Sequence, residues 1–285
     1  GWTVQTDGEN ADTGTAIAWF EARFDQALAE LEDHYQKFRM SDALQLVYKL
    51  AWDDFCSWYL EMVKPEQGQP IDGETYEATV RHFENILKVL HPFMPFITEE
   101  IWQQLQERKP GESICVAPYP KVTKGSASSI LADAAVALEA ITQIRNLRNG
   151  KGLSPKVALP LKVRTGNPNL YQQFGGVIRK LANVSELESE PKTDVPTTTT
   201  TTFLVKSDEF FVPLQVNVDV EKEREKIQKD LEYQQGFRES VLKKLNNERF
   251  VSNAKEHVIT AERQKLADAE AKIKALEESL RNLGG

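Results

Sequence analysis

The sequence predicts a mainly α-helical fold in three parts: a helical bundle, a small α+β connector and a C-terminal antiparallel coiled-coil hairpin. Three patterns predict it. Apolar residues in the first part recur at steps of three and four, β-branched residues gather in the second, and a heptad repeat runs through the third. The predicted domains are therefore residues 1–124, 125–218 and 219–285.

The bundle is predicted from amphipathic stretches separated by proline and glycine. Ser41 and Asp42 can cap a second helix, Pro65 ends that helix, and a fourth helix should begin near Pro95 or Thr98. Because the connections are short, neighbouring helices should pack antiparallel. The apolar face of the first helix consists of Ile17, Phe20, Phe24, Leu28, Leu31, Tyr35 and Phe38. The helical spacing also predicts that most of three tryptophans lie in the core rather than on an exposed stacking surface: Trp52, Trp58 and Trp102.

The connector begins after a short extended piece over 113–117. A helix is predicted over 126–149, where a glycine-containing sequence is typical of a helix C-terminus. A strand follows over 156–164, and Asn167 with Pro168 starts the next helix. The pattern of Val, Phe and Thr around 206–209 predicts a β-hairpin.

The third part contains two heptad seams of similar length with a short break between them. An antiparallel hairpin within one monomer is the simplest fold for this pattern, and a homodimeric coiled coil is the alternative. Gly236 lies inside the first seam and should weaken its helix. The first seam consists of Val220, Ile227, Leu231, Val241 and Leu245, and the second of Ile259, Glu262, Leu266, Ala269, Ile273, Leu276, Leu280 and Leu283.

Charge is unevenly distributed along the chain. The 285 residues carry a formal net charge of −8, yet residues 140–185 hold eight Lys and Arg and no Asp or Glu. A carboxylate-free segment in an acidic chain indicates a local anionic partner or a solvated basic face.

Other patterns exclude several classes of protein. Cys56 and Cys115 are too few and too far apart for a disulfide framework or a cysteine-rich zinc site, which favours a reducing cytosol. The sequence contains no membrane-spanning run, Walker loop, dinucleotide fingerprint or nucleophile elbow. Because the chain opens with Gly1 and not Met, we expect a fragment or a processed product.

Several segments resemble the valyl-tRNA synthetase family, a group of class I aminoacyl-tRNA synthetases. The string LHPFMPFITEEIW over 90–102 and the segment 19–65 are similar to the anticodon-binding bundle that the Ile, Leu and Val enzymes share. The segments that select the valyl group are 144–155, 181–187, 212–223 and the hairpin turn over 245–251.

The resemblance implies a cytoplasmic, C-terminal tRNA-binding region of an enzyme that attaches valine to tRNA. The bundle would recognise the anticodon of a valine tRNA, and the arm would brace the tRNA elbow. The parent enzyme would use ATP and Mg²⁺ in catalytic and editing domains that this sequence does not contain. We therefore expect no catalytic residue, cofactor or metal in this chain, no activity of the chain alone, and neither DNA nor a membrane as a partner.

Basic residues in three places are the candidates for tRNA contacts. They are Lys37, Arg39, Lys64 and Arg81 in the bundle, Arg145, Arg148, Lys151 and Lys156 in the connector, and Lys243, Lys244, Arg249 and Lys255 near the turn of the arm. The competing hypothesis is a cytosolic scaffold that binds protein partners through its coiled coil. That hypothesis leaves the carboxylate-free segment unexplained.

Overall fold

The computed structural model describes residues 3–5, 11–122, 128–191, 200–213, 220–246 and 256–282. It divides into two compact units, Gly1–Leu214 and Gln215–Gly285, which we call the body and the arm. Helices from both sides of residue 124 pack together within the body. The division of the body into two domains at that residue therefore stays a prediction. Within the described ranges, no helix is both long enough and apolar enough to cross a membrane.

The first half of the body is the predicted bundle of helices. It contains α1 (Ala11–Gln36), α2 (Met40–Lys49), a π-helical continuation (Leu50–Tyr59), α3 (Leu60–Val63), α4 (Gly73–Leu90) and α5 (Pro95–Leu105). The predicted start of a helix at Pro95 is confirmed. The predicted Ser41–Asp42 cap is wrong, because α2 begins at Met40 with Arg39 at its N-cap and no capping side chain. Asp72 does cap α4, where its carboxylate accepts a hydrogen bond from the Thr75 backbone N–H at 2.8 Å.

The core of the bundle is a cluster of rings around Phe20. The Phe20 ring lies 5.3 Å from Phe55, 5.0 Å from Tyr59 and 5.0 Å from His82, measured between centroids. These contacts join α1, the π-helical segment and α4, and offset or edge-on packing of this kind is favourable for aromatic side chains.

The second half of the body is the predicted α+β unit. It contains α6 (Ser128–Gly150), β3 (Leu159–Arg164), α7 (Pro168–Ala182), β4 (Val184–Glu190), β5 (Thr200–Val205) and β6 (Asp208–Pro213). The sheet order is β4-β3-β6-β5, in which only the β3–β4 pair is parallel. The predicted hairpin is confirmed as β5 and β6, whereas β4 was not predicted. Residues 113–117 are not extended as expected, because Ile114–Val116 form a single 3-10 turn.

Two further strands are short. β1 (Val4–Gln5) and β2 (Ile71–Asp72) form a parallel pair of two residues each. This pair brings the start of the chain next to the start of α4.

The arm consists of α8 (Val220–Leu245) and α9 (Glu256–Asn282). Arg238 is 3.4 Å from Glu270, and Lys244 is 3.8 Å from Glu262, so the pairing proceeds in opposite chain directions. The seam residues Leu231, Val241 and Ala269 are buried. The predicted antiparallel hairpin is therefore confirmed, although its turn lies outside the described residues.

Candidate nucleic-acid interface

Arg148 is a structural residue rather than a free surface cation. Its side chain is 4% exposed. One guanidinium nitrogen donates hydrogen bonds to the carbonyls of Ser154 at 3.2 Å and Val157 at 2.6 Å. The other donates to the carbonyls of Ala182 at 2.9 Å and Asn183 at 2.8 Å. The expectation that Arg148 reaches out from the surface is wrong, because its two terminal guanidinium nitrogens join the end of α6 to the following loop and to the end of α7.

Arg145 lies one turn before Arg148 and has a mixed role. It is exposed, but its Nε and Nη2 both donate to the carbonyl of Leu181, at 3.2 and 2.9 Å. Its guanidinium also lies 5.7 Å from the centroid of the half-buried Trp58 ring. One face of Arg145 is thus held by the protein, which leaves the other face for a ligand.

Lys151 and Lys156 have the surface positions that the predicted phosphate contacts require. Both are exposed and lie in the loop between α6 and β3. Gly152, with a φ of 65°, follows the end of α6, and the Leu153 N–H donates to the Arg148 carbonyl at 2.8 Å. This glycine C-cap turns the chain sharply, and the Arg148 bonds to Ser154 and Val157 fix the loop that carries the two lysines.

A cleft of about 630 Å³ opens between the end of α3, β2 and α7. Its lining includes Lys64, which was predicted to contact tRNA, and Arg179 and Lys180, which were not. The Lys180 ammonium donates to the carbonyls of Met62 at 2.6 Å and Lys64 at 2.5 Å. Arg179 and Lys180 both lie within the carboxylate-free segment, and that position is the signal in the sequence that could have identified them.

Three of the four predicted cations of the bundle are paired with carboxylates. Lys37 bonds to Asp33 in the same helical region, and Arg81 of α4 lies 3.2 Å from Glu21 of α1. Lys64 lies 3.5 Å from Glu61. Exposed pairs of this type are weak and exchange readily with other charged partners. Arg39 is exposed at the start of α2.

An exposed ridge of large side chains extends along α2 and into the π-helical continuation. Tyr48 and Trp52 are each 60% exposed, and their rings stack with an interplanar angle of 13° and a centroid distance of 6.3 Å. Of the three tryptophans, Trp102 is buried beneath Arg108, Trp58 is half-buried and Trp52 is exposed. The prediction that most of them lie in the core therefore holds fully for Trp102 alone. Met40 and Leu44, at the same four-residue spacing, extend the exposed ridge toward Arg39.

Two of the four predicted arm cations lie in the described part of the arm. Lys243 and Lys244 are exposed in the last turn of α8, and Lys244 is near Glu262. Arg249 and Lys255 lie outside the described residues. Across the described parts of the chain, no group of three or more His, Cys, Asp or Glu side chains is placed to hold a metal ion.

Together, these residues provide two chemical functions. Exposed lysines and arginines can contact phosphate groups, and exposed flat rings can stack on unpaired bases. Proteins that recognise a folded RNA with a single-stranded loop use both kinds of contact.

Comparison with known proteins agrees with this chemistry. Residues 18–163 match the family described as the anticodon-binding domain of tRNA ligase, and residues 219–284 match the valyl tRNA synthetase tRNA binding arm. The valine–tRNA ligase of Christiangramia forsetii is 47% identical over 99% of this chain, and that of Dechloromonas aromatica is 32% identical over 94%. This chain spans 32% and 29% of those two relatives, about a third of their length.

The two matched families correspond to separate parts of the fold. The first covers most of the bundle and continues through β3, and the second covers both helices of the arm. The anticodon-binding match alone accounts for half of the sequence, and with the matching arm it shows that the chain belongs to the valine–tRNA ligase family.

Proposed function

We propose that this chain is the tRNA-binding region of a cytoplasmic valine–tRNA ligase. The body recognises the anticodon loop of a valine tRNA, and the arm braces the tRNA elbow. The remainder of the enzyme, using ATP and Mg²⁺, attaches valine to the tRNA. The observation that carries the proposal is that body and arm are each similar to a different tRNA-binding module of this family.

Phosphate contacts provide the affinity in this proposal. Lys151, Lys156 and Arg179 are exposed and belong to a segment without any carboxylate. Contacts between such cations and phosphates position the RNA without reading its sequence. They also release condensed counterions, so binding should weaken steeply as salt increases.

Unpaired bases provide the specificity. The bundle as a whole is acidic, but reading an anticodon requires only a local surface, because loop bases are recognised by stacking and by hydrogen bonds to their edges. The stacked pair of Tyr48 and Trp52 offers an exposed aromatic surface of this type. Arg39, at the N-cap of α2, would contact the backbone of such a loop.

A binding titration tests the proposal. Purified chain is mixed with valine tRNA and with an unrelated tRNA across a salt series, and the bound fraction is measured by mobility shift. We expect binding to both at low salt, a preference for valine tRNA, and loss of both complexes as salt increases. Absence of any shift with either tRNA at about 50 mM salt would contradict the proposal.

A pair of variants tests the role of the aromatic ridge. Trp52→Ala should reduce affinity for valine tRNA by about 1 to 3 kcal/mol if one base stacks on it. Phe96→Ala removes an exposed ring from α5 and is the matched control, because Phe96 is 89% exposed. If the two substitutions reduce the affinity equally, the ridge is not the surface that stacks on the bases. The proposal that lysines and arginines contact the phosphates would still stand.

A further inference from the structure

A hydrogen-bonded chain of three side chains lies where α4, α5 and the 3-10 turn meet. His91 follows the last residue of α4, Thr98 lies in the first turn of α5, and Cys115 is the middle residue of the turn Ile114–Val116. His91 Nδ1 is 2.7 Å from Thr98 Oγ1, and His91 Nε2 is 3.1 Å from Cys115 Sγ. The cysteine is exposed, whereas Thr98 is completely buried.

The hydrogen-bond pattern favours one of the two neutral tautomers of His91. Thr98 has one hydroxyl proton, and it donates that proton to the carbonyl of Met94 at 2.8 Å. Thr98 Oγ1 must then accept its bond from His91, so Nδ1 carries the hydrogen. In the neutral ring this leaves the lone pair on Nε2, which accepts the S–H proton of Cys115.

Glu99 supports this arrangement in two ways. Its carboxylate accepts hydrogen bonds from Ser113 Oγ at 2.7 Å and from the Ile114 N–H at 3.1 Å, which fixes the turn that carries Cys115. It also interacts electrostatically with His91.

We propose that Cys115 is a reversible thiol-modification site that reacts with low-molecular-weight disulfides, with His91 as its base. The S–H proton passes to His91 Nε2, and the Cys115 sulfur attacks one sulfur of the disulfide. The S–S bond breaks as the new mixed disulfide forms. The second sulfur leaves as a thiolate and takes up the proton, so that Cys115 is oxidised and the departing half is reduced to a thiol.

Cys56 provides an internal reference for this reaction. It is also exposed, but it lies in the π-helical segment, and partial burial raises the pKa of its thiol. No imidazole is hydrogen-bonded to it among the described residues. Since the thiolate is the reactive form, Cys56 should react slowly while Cys115 reacts quickly.

The experiment uses the full chain with oxidised glutathione as the probe. Mixed-disulfide formation at each cysteine is followed by mass spectrometry of the intact and digested protein at neutral pH. We expect Cys115 to react about tenfold faster than Cys56. His91→Gln should remove that advantage, and Thr98→Val should reduce it because Nδ1–H loses its acceptor. Thr98→Ser, which keeps the hydroxyl, should retain it.

Equal rates at the two cysteines of the unaltered protein would overturn the proposal without the use of any variant. An unchanged Cys115 rate in a folded His91→Gln protein would overturn it as well, as would equal rates in Thr98→Val and Thr98→Ser. The reaction is measured without RNA, so its outcome is independent of the proposed tRNA binding.

Discussion

At the residue scale, Arg148 and Lys151 lie three positions apart and occupy opposite environments. Arg148 is buried and donates to four backbone carbonyls, whereas Lys151 is exposed in the loop that follows. Both count equally in the charge of the carboxylate-free segment. Only Lys151 is available to a phosphate, so the formal charge of the segment overstates the number of its possible contacts.

Replacement of Arg148 by Lys should destabilise the body. A lysine keeps the charge but cannot reach four carbonyls with the planar geometry of a guanidinium. Buried carbonyls that lose their donors cost free energy, and we expect a loss of about 3 kcal/mol in the free energy of unfolding. Denaturant unfolding measures this change. Lys151→Gln is the matched control and should alter stability by less than about 0.5 kcal/mol.

His82 should make the stability of the body depend on pH. Burial, with a smaller contribution from the charge of Arg81, lowers the pKa of His82 from 6.5 to about 4. The unfolded chain therefore binds the proton first as pH falls, so stability is full above about pH 6.5 and decreases below it. Between pH 7 and pH 5 this coupling removes about 2 kcal/mol.

The test compares the unaltered chain with His82→Phe at both pH values. Phenylalanine keeps a flat ring beside Phe20 and Tyr59 but cannot take up a proton. The difference in unfolding free energy between pH 7 and pH 5 should be smaller in the variant by about 2 kcal/mol. An identical pH dependence in both proteins would show that His82 is not the responsible group.

The sequence identified the candidate cations by residue type, but it could not show which of them are buried and which are exposed. Lys151 and Lys156 are exposed as expected because both lie in a loop after a glycine C-cap, which local sequence can reveal. Arg148 could not be identified as buried, because its carbonyl partners at Ala182 and Asn183 are brought to it by the later packing of α7 on α6. Periodicity along one helix does not contain that information.

At the element scale, the helices could be predicted more reliably than their buried faces. The segment after α2 was predicted as an ordinary amphipathic helix, yet Leu50–Tyr59 is π-helical. Its wider hydrogen-bonding interval places Leu50, Phe55 and Tyr59 on the buried face, at steps of five and four. Because Leu50 and Phe55 are five residues apart, the steps of three and four used for the prediction could not place both of them on one face.

Strand β4 shows a second limit of local patterns. Its residues Val184–Glu190 include three glutamates, and most of its side chains are exposed. An edge strand needs little apolar sequence because only one side is hydrogen-bonded in the sheet. Parallel pairing with β3 defines it as a strand, and that pairing depends on the intervening helix α7.

Gly236→Ala should stabilise the arm. Gly236 lies inside α8, and a Cβ added there meets nothing within 4 Å. Alanine reduces the conformational freedom of the unfolded chain, so we expect a gain of about 1 kcal/mol. The thermal unfolding of the helical signal measures this gain. A decrease in stability would contradict the described conformation of α8 at this position.

At the scale of the whole molecule, the carboxylate-free segment should determine the salt dependence of tRNA binding. We predict that the double variant Lys151→Gln and Lys156→Gln binds more weakly. Its slope of log affinity against log salt should be shallower by about 1.5, if both lysines contact phosphates. The loss should be similar for valine tRNA and for an unrelated tRNA, because phosphate contacts do not read bases.

A control variant with the same change in net charge distinguishes direct phosphate contacts from the effect of the overall charge of the chain. Lys109→Gln with Lys121→Gln removes two exposed charges from the acidic half of the body. This variant should leave the slope nearly unchanged. If both double variants change the slope equally, the net charge of the chain, and not the loop after α6, accounts for the salt effect.

Lys180 has a further consequence for how the body loses its structure. Its ammonium joins α7 to the carbonyls of Met62 and Lys64, far away in the sequence and on the other side of the predicted boundary at 124. Arg145 makes a second link across that boundary through the Trp58 ring. If either half of the body unfolds, the Lys180 hydrogen bonds to Met62 and Lys64 and the contact between Arg145 and the Trp58 ring are lost, and groups of the other half lose their partners. The body should therefore melt in a single cooperative transition, and cutting the chain at 124 would yield two unstable pieces rather than two independent modules.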